Sequence, residues 1–158
     1  MPKHFLTTIL MCLCLLVSAQ KKKELKKYGI RGITVTETVG TKTITDSKCT
    51  YDANGLLLQE INYNKDGLLK STTNYKYSKT GDVIEELEYD EKNALKEKRT
   101  FKYNAMGDKS EELVLDANGK QIKKMVYVYD ARGLKTEKRT YDADNNLVSV
   151  KKTMYSTK

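Results

Sequence analysis

The 158-residue chain lacks tryptophan and contains one histidine, one proline and three cysteines. His4, Pro2, Cys12 and Cys14 all precede residue 20, so a chain that loses this segment keeps only Cys49. Such a chain has no histidine for a Ser-His-Asp triad, a Cys-His pair or a His-ligated zinc site. It also has no second cysteine for an internal disulfide. We expect Cys49 to lie at least partly buried in a strand, either inert or able to pair with another chain.

The first 19 residues predict a removable export signal. Lys3 and His4 give a short basic start, and Phe5 to Val17 form an apolar run of 13 residues, too short to span a bilayer. Small residues then precede a cleavage site between Ala19 and Gln20. We therefore expect a soluble, secreted or periplasmic product without a transmembrane segment.

Residues 20–32 form a basic N-terminal arm, predicted to contain at most one helical turn over residues 24–28. Residues 21–31 hold six cations and one anion, whereas residues 32–158 hold 22 cations and 20 anions. The cations are Lys21, Lys22, Lys23, Lys26, Lys27 and Arg31. The arm is either a solvated leader or an electrostatic tether to an anionic envelope or polysaccharide. Nucleic acid is not an expected partner, because the chain shows no recognisable reader motif.

Eight four-residue turns recur between residues 52 and 145 in a fixed register. Their last residues are Gly55, Gly67, Gly81, Asn93, Gly107, Gly119, Gly133 and Asn145, alternately 12 and 14 apart. Every first residue is Asp, Asn or Ser, whose side chain accepts a hydrogen bond from the backbone two residues on. Gly and Asn are the residues that best tolerate positive φ. The pattern predicts type I turns followed by a left-handed bulge residue.

Residues 33–158 are therefore predicted to form an all-β domain, an antiparallel meander of about ten strands built from a 26-residue two-strand repeat. The turn geometry places each Tyr before a turn opposite the second residue after it: Tyr51/Leu57, Tyr63/Leu69, Tyr77/Val83, Tyr89/Leu95 and Tyr141/Leu147. Counting by twos assigns these pairs to one apolar face, together with Ile61, Leu87, Leu113, Met125, Gln59, Glu85, Glu111 and Glu137. The opposite face is predicted to be mostly polar. No second layer is predicted, so the sheet must curl on itself or be covered by another surface.

Three of the turns carry the residues of a known repeat. At Tyr51-Asp-Ala-Asn-Gly-Leu, Tyr129-Asp-Ala-Arg-Gly-Leu and Tyr141-Asp-Ala-Asp-Asn-Asn-Leu, the chain resembles the YD repeats of Rhs-type secreted proteins, over about residues 50–155. Variant MORN-type repeats are a second possible relative, because they also pair a turn Gly with Tyr and Leu. The YD resemblance implies an exported β-repeat protein associated with cell surfaces, carbohydrate binding or shells around toxins.

Aromatic pairs near one end of the long strands are the candidate ligand-binding residues: Tyr75, Tyr77, Phe101, Tyr103, Tyr127 and Tyr129. Such a row could stack on sugar rings, since an aromatic ring offers a flat apolar surface and Tyr adds a hydroxyl. Alternatively, these rings stabilise the sheet by covering one another across strands.

Two carboxylate doublets suggest glycoside hydrolysis, which needs two suitably spaced carboxyl groups. They are Glu85, Glu86, Glu111 and Glu112, and the expected cross-strand partners are Lys96, Lys98, Lys123 and Lys124. Because the doublets recur at one repeat position, we favour a structural role. We expect no enzymatic activity, no cofactor and no metal site.

Taken together, these patterns predict a secreted non-catalytic repeat protein for binding or scaffolding at the cell envelope. The expected partner is polysaccharide or a cell-surface protein, bound through the Tyr-rich sheet face. The alternative is an envelope-tethered structural component, or a fragment of a toxin/immunity-type repeat system. Self-association through the apolar face or the sheet edges is also possible.

Overall fold

The computed structural model describes residues 19–156, which form one short helix and ten strands. The helix α1 spans Ala19–Lys27. The strands are β1 (Gly32–Val39), β2 (Lys42–Tyr51), β3 (Leu57–Tyr63), β4 (Leu69–Tyr77), β5 (Val83–Tyr89), β6 (Leu95–Tyr103), β7 (Lys109–Asp116), β8 (Gln121–Tyr129), β9 (Lys135–Tyr141) and β10 (Leu147–Lys152). Most of the predicted export signal lies outside the described residues. Within them, no helix is long and apolar enough to cross a membrane.

All ten strands belong to one antiparallel sheet in which each strand pairs with its neighbours in chain order. The predicted all-β meander is therefore confirmed. We call the turns that end at Gly55, Gly81, Gly107 and Gly133 the A-turns; they follow β2, β4, β6 and β8 along one side of the sheet. The B-turns end at Gly67, Asn93, Gly119 and Asn145 and lie along the opposite side.

The turns have the predicted geometry. The fourth residue has positive φ in all eight, from 61° at Asn93 to 89° at Gly81, and its N–H donates to the carbonyl of the first residue at 2.9–3.3 Å. The side chain of the first residue in each turn accepts two further hydrogen bonds. In the first turn, for example, Asp52 Oδ1 accepts from the N–H groups of Asn54 and Leu56, both at 2.8 Å. This double acceptor explains why every turn begins with Asp, Asn or Ser.

The predicted pairing across the turns is also confirmed, but the assignment to one face is wrong. Tyr51 opposes Leu57 as predicted, whereas the next residue back, Thr50, opposes Gln59. Strand β3 thus carries one extra residue, Leu58, which is a β-bulge. The same one-residue shift follows each of the seven remaining turns. Each bulge moves the rest of its strand to the opposite face.

The bulges divide the predicted apolar face between both sides of the sheet. Directly opposed residues share a face of the sheet. The pairs that flank A-turns, such as Tyr51/Leu57, therefore lie on one face, and the pairs that flank B-turns, such as Tyr63/Leu69, lie on the other face. The side of the B-turn pairs, here called the outer face, also holds Ile61, Leu87, Leu113, Gln59, Glu85, Glu111 and Glu137. Met125 lies on the face of the A-turn pairs, which we call the inner face.

All buried strand residues among those described lie on the inner face. They are Ser47, Cys49, Tyr51, Leu57, Glu60, Tyr75, Glu112, Val114 and Met125. Helix α1 covers one end of this face, because Leu25 packs with Cys49, Tyr51, Leu57 and Tyr75 in one cluster and is only 3% exposed. The predictions that the arm forms at most a turn and that no second layer exists are therefore wrong. Packing stabilises a helix too short to be stable alone.

Cys49 lies in β2, is buried, and is disulfide-bonded in the full-length chain. The predicted buried strand position is confirmed. The absence of an internal disulfide is predicted only for a chain that has lost residues 1–19, and Cys12 and Cys14 lie outside the described residues.

Candidate functional site

The structure brings the six predicted aromatic residues together on the inner face, beside the A-turns. They occupy β4, β6 and β8, which alternate with β5 and β7 in the sheet. Equivalent rings are therefore about 10 Å apart, twice the spacing of neighbouring strands. Two rows result: Tyr77, Tyr103 and Tyr129 next to the turns, and Tyr75, Phe101 and Tyr127 two residues further in.

The row next to the turns is anchored through its hydroxyl groups. Tyr77 Oη donates to the carbonyl of Leu57 at 2.7 Å, Tyr103 Oη to Val83 at 2.8 Å and Tyr129 Oη to Lys109 at 2.8 Å. Tyr155 Oη continues the series by donating to Lys135 at 3.0 Å. Each bond joins residues 20 apart; the first three tie a strand to the one before it, and the fourth ties the segment after β10 to β9. We call Tyr77, Tyr103, Tyr129 and Tyr155 the Tyr ladder.

Burial protects the ladder hydroxyls from ionisation. Desolvation raises the pKa of Tyr77 to about 12, with Asp52 and Glu86 adding to the rise. Desolvation also raises the pKa of Tyr103 and of Tyr129. The hydroxyls remain hydrogen-bond donors at neutral pH, so the rings stay fixed across the inner face.

The second row faces a line of carboxylates, Glu60, Glu86 and Glu112, that repeats every 26 residues. Tyr75 Oη donates to Glu60 Oε2 at 3.3 Å, and Tyr127 Oη donates to Glu112 Oε2 at 3.1 Å. Phe101 occupies the equivalent position and has no hydroxyl to offer Glu86, which lies opposite Tyr75 in the neighbouring strand. The hydroxyls of Tyr75 and Tyr127 are therefore bonded to carboxylates of the sheet itself, and ligand binding by this row stays a prediction.

The pKa values of two carboxylates in this line are shifted in opposite directions. Burial raises the pKa of Glu86, and the charges of Arg99 and Lys109 only partly oppose the rise. Burial also acts to raise the pKa of Glu112, but a hydrogen bond and the charge of Lys109, together with the Tyr127 hydroxyl, bring it below its usual value. Lys109 Nζ lies 2.9 Å from Glu112 Oε2.

Lysine side chains surround the ring of Tyr127. The Nζ atoms of Lys109, Lys135 and Lys138 lie 5.4, 5.4 and 5.8 Å from its centroid, and Lys109 Nζ is also 4.9 Å from the Phe101 ring. Cation–π attraction holds ammonium groups at such distances. The far end of the inner face is consequently both aromatic and cationic.

At the near end, α1 and the first two A-turns enclose an open cleft of about 950 Å³, which we call the α1 cleft. Its polar lining includes Lys22, Lys23, Lys26, Lys76, Lys79 and Asp52, and its apolar lining includes Leu56, Leu58, Ile84, Tyr75 and Tyr77. The cleft thus joins half of the predicted electrostatic arm to the first pair of the predicted aromatic row.

Contacts with the first A-turn position the helix over this cleft. Gly55 has a φ of 76°, and a β-carbon at this position would lie 2.7 Å from the carbonyl oxygen of Lys22. The Arg31 guanidinium donates to the carbonyl of Asp52, and the Arg31 carbonyl accepts from the N–H of Tyr51 at 2.9 Å. Only glycine fits the space between the helix and the turn.

The remaining arm cations do not line the cleft. Lys27 Nζ lies 5.2 Å from the ring centroid of Tyr28, and Arg31 binds the turn as described. Lys21 belongs to α1, and its side chain lies outside the described part of the chain.

The carboxylate doublets do not form pairs, because neighbouring strand residues point to opposite faces. On the outer face, Glu85 binds Lys76 and Lys98, both at 2.6 Å, and Glu111 binds Lys102 at 2.8 Å. Of the predicted partners, Lys98 contacts a doublet carboxylate, whereas Lys96 binds Glu88 at 2.7 Å and Lys124 donates to Asn145 at 3.0 Å. In residues 19–156, no cluster of three His, Cys, Asp or Glu side chains could hold a metal ion.

No protein-family model matches the chain, and no curated protein matches it significantly. Among solved structures, a protein of unknown function from Bacteroides fragilis is 15% identical, with a TM-score of 0.43 over 80% of this chain and 96% of that one. TarM is 15% identical (TM-score 0.32), and the accessory secretory protein 1, 2 and 3 structure from Streptococcus pneumoniae is 10% identical (TM-score 0.34). The alignments include 80% and 69% of this chain, respectively, and the chain spans only 22% and 18% of the lengths of those two proteins. At TM-scores below 0.5 none of these similarities assigns an activity, and the YD-repeat resemblance stays a prediction.

Proposed function

We propose that the protein is an exported, non-catalytic module that binds polysaccharide along the inner face of its sheet. The observation that carries this proposal is the Tyr ladder, in which Tyr77, Tyr103 and Tyr129 are fixed at equal intervals by bonds to the backbone. Rings at about 10 Å intervals match a polymer better than a single small ligand.

The anchoring of the hydroxyls supports binding through the ring faces. Each ladder hydroxyl already donates to a carbonyl, as Tyr103 does to Val83, so the hydroxyl is committed to the fold. The ring itself remains only partly buried and offers flat apolar area of the kind that stacks on a sugar ring. Because the ring is immobilised before binding, the ligand does not have to order it, which favours affinity.

Repetition of the site favours long ligands. A polymer that contacts one ring holds its neighbouring units close to the next ring, so the later contacts are effectively intramolecular. Weak stacking at each of three positions can then add up to measurable retention. We expect binding to rise steeply with the length of the glycan chain.

Replacement of ladder residues tests this proposal, with a conservative variant as control. The double variant Tyr103→Leu/Tyr129→Leu removes two rings, whereas Tyr103→Phe/Tyr129→Phe keeps the rings and removes only the hydroxyls. Affinity electrophoresis and pull-down on cell-wall polysaccharide should show binding lost in the Leu variant and retained, but weakened, in the Phe variant, whose rings are no longer anchored. Circular dichroism and the thermal midpoint establish that both variants are folded. Unchanged retention of a folded Leu variant would contradict the proposal.

A further inference from the structure

We infer that the polysaccharide is polyanionic and that its negatively charged groups bind in the α1 cleft, an inference that rests on the proposed function. The observation behind it is the charge of the cleft, which five lysines and one aspartate line. Three of the lysines, Lys22, Lys23 and Lys26, come from the helix. Of the other two, Lys76 lies in β4 and Lys79 in the second A-turn.

Most of this positive charge is not neutralised by the protein. Lys22, Lys23, Lys26 and Lys79 make no salt bridge with any acid in the described part of the chain. Lys76 differs, because its ammonium lies 2.6 Å from Glu85 Oε1. Four ammonium groups in one concave site repel one another, and an anionic ligand relieves this repulsion.

The single acid of the cleft is already used by the fold. Asp52 Oδ1 accepts two backbone N–H groups, of Asn54 and Leu56, and thereby holds the first A-turn. At the second A-turn, Lys22 Nζ reaches within 3.5 Å of the position that a β-carbon on Gly81 would occupy. The helix lysine thus lies between two turns rather than extending into solvent away from the sheet.

The apolar part of the lining indicates that the anionic group is attached to a sugar. Leu56, Leu58, Ile84 and the ring of Tyr77 line the same cleft as the lysines. A free phosphate would use the cations alone, whereas an acidic sugar residue would also cover the apolar surface. Tyr77 is both part of the cleft and the first member of the Tyr ladder, so one polymer can occupy both.

Cations recur where the ladder approaches the other end of the sheet. Lys135 and Lys138 lie beside the ring of Tyr127 and have no salt bridge within residues 19–156. They belong to β9, five strands from β4 and therefore about 24 Å away at the usual strand spacing. A polymer with charge at regular intervals can satisfy both ends of the inner face.

The experiment measures binding of the purified protein to four probes over a range of NaCl concentrations. Heparin carries sulfate, polygalacturonate carries carboxylate, dextran is neutral, and phosphatidylglycerol vesicles present an anionic surface without sugar. The test variant is Lys22→Gln/Lys23→Gln/Lys26→Gln. Its matched control, Lys65→Gln/Lys92→Gln/Lys120→Gln, removes the same charge from exposed positions at the B-turns.

We expect both acidic glycans to bind more tightly than dextran, and their affinity to fall with salt. The α1 triple variant should lose roughly tenfold in affinity at low salt, because three exposed ion pairs of modest strength are removed together. The B-turn control should stay within about twofold of the unmodified protein.

Other results would overturn the inference. If dextran and polygalacturonate bind equally and the α1 variant changes neither affinity, the cleft does not bind an anionic group, but the proposed polysaccharide function remains. Equal losses in both triple variants would show attraction to net charge only. Vesicle binding as tight as glycan binding would assign the lysines to a membrane surface instead. Failure of every glycan to bind would contradict the proposed function itself.

Discussion

Substitution of Gly55 by alanine tests how the helix is held against the sheet. Gly55 adopts a φ of 76°, and a β-carbon there would lie 2.7 Å from the Lys22 carbonyl oxygen and 3.3 Å from Leu25 Cβ. Backbone at such a short distance cannot yield without moving the helix. We therefore expect Gly55→Ala to displace α1 from the inner face.

The cost can be worked from two contributions. A left-handed conformation costs a non-glycine residue about 1–2 kcal/mol. Displacement of α1 also exposes Leu25, which is 3% exposed here, and leaving such a side chain in water costs about 1.5–3 kcal/mol. Together they predict that Gly55→Ala lowers the free energy of unfolding by about 2.5–5 kcal/mol.

Gly107→Ala is the matched control, because Gly107 has a φ of 86° at an equivalent A-turn but no atom within 4 Å of the added β-carbon. It should cost only the conformational part, about 1–2 kcal/mol. The effect of alanine on the unfolded chain is the same in both variants and cancels in the comparison. Urea denaturation followed by circular dichroism measures the two values. Equal losses of stability in the two variants would contradict the claim that α1 packs against the turn only because residue 55 is glycine.

Three further predictions concern the carboxylates of the inner face and the N-terminus. Phe101→Tyr supplies the hydroxyl that Tyr75 and Tyr127 offer in the neighbouring repeats, and it should raise the free energy of unfolding by about 1 kcal/mol in urea titrations; a destabilised variant would contradict the assigned repeat geometry. Glu86→Gln should stabilise the protein at pH 7: the pKa of Glu86 is raised, so the contribution of this carboxyl to stability falls as the pH rises above the unfolded pKa near 4.5. Glu112→Gln should destabilise the protein at pH 7: the pKa of Glu112 is lowered, so the carboxylate contributes stability above pH 4.5 and loses it in acid. Thermal midpoints at pH 4 and pH 7 measure both effects, and equal shifts of one sign at pH 7 would be inconsistent with the different environments. Intact-mass analysis of the exported protein should find a chain that begins at Gln20, and retention of residues 1–19 would disprove the predicted export signal.

The turns and the strand pairing could be predicted from the sequence because their chemistry is local. Asp52 to Gly55 contains the side-chain acceptor and the positive-φ residue of its own turn, and the same two features recur at a fixed spacing. Once the turn type is known, the residue opposite Tyr51 follows by counting.

The two faces could not be predicted, because no residue type marks the bulges. The extra residues include Leu58, Lys70, Ile84, Lys96 and Ser110, which share neither size nor charge. A single extra residue reverses every later side chain in the strand, so correct pairing at the turn still led to the wrong face.

The site was predictable only in part. The positions of Tyr77 and Tyr103 follow from the repeat, and a constant separation of 20 residues from Leu57 and Val83 was available as a signal for their partners. The α1 cleft had no such signal. Its helix contains a single large apolar residue, Leu25, and the surface that buries this side chain forms only when the sheet has folded.

Footprinting of the tyrosines with and without bound glycan tests most directly whether the inner face is the binding surface. The chain contains its own control, because Tyr63, Tyr89 and Tyr141 lie on the outer face. With polygalacturonate present, mass spectrometry after hydroxyl-radical labelling should show protection of the Tyr ladder residues Tyr77, Tyr103 and Tyr129 and unchanged labelling of the three outer-face rings. Protection of the outer-face rings, or labelling of the ladder that bound glycan does not alter, would contradict the assignment of function to the inner face.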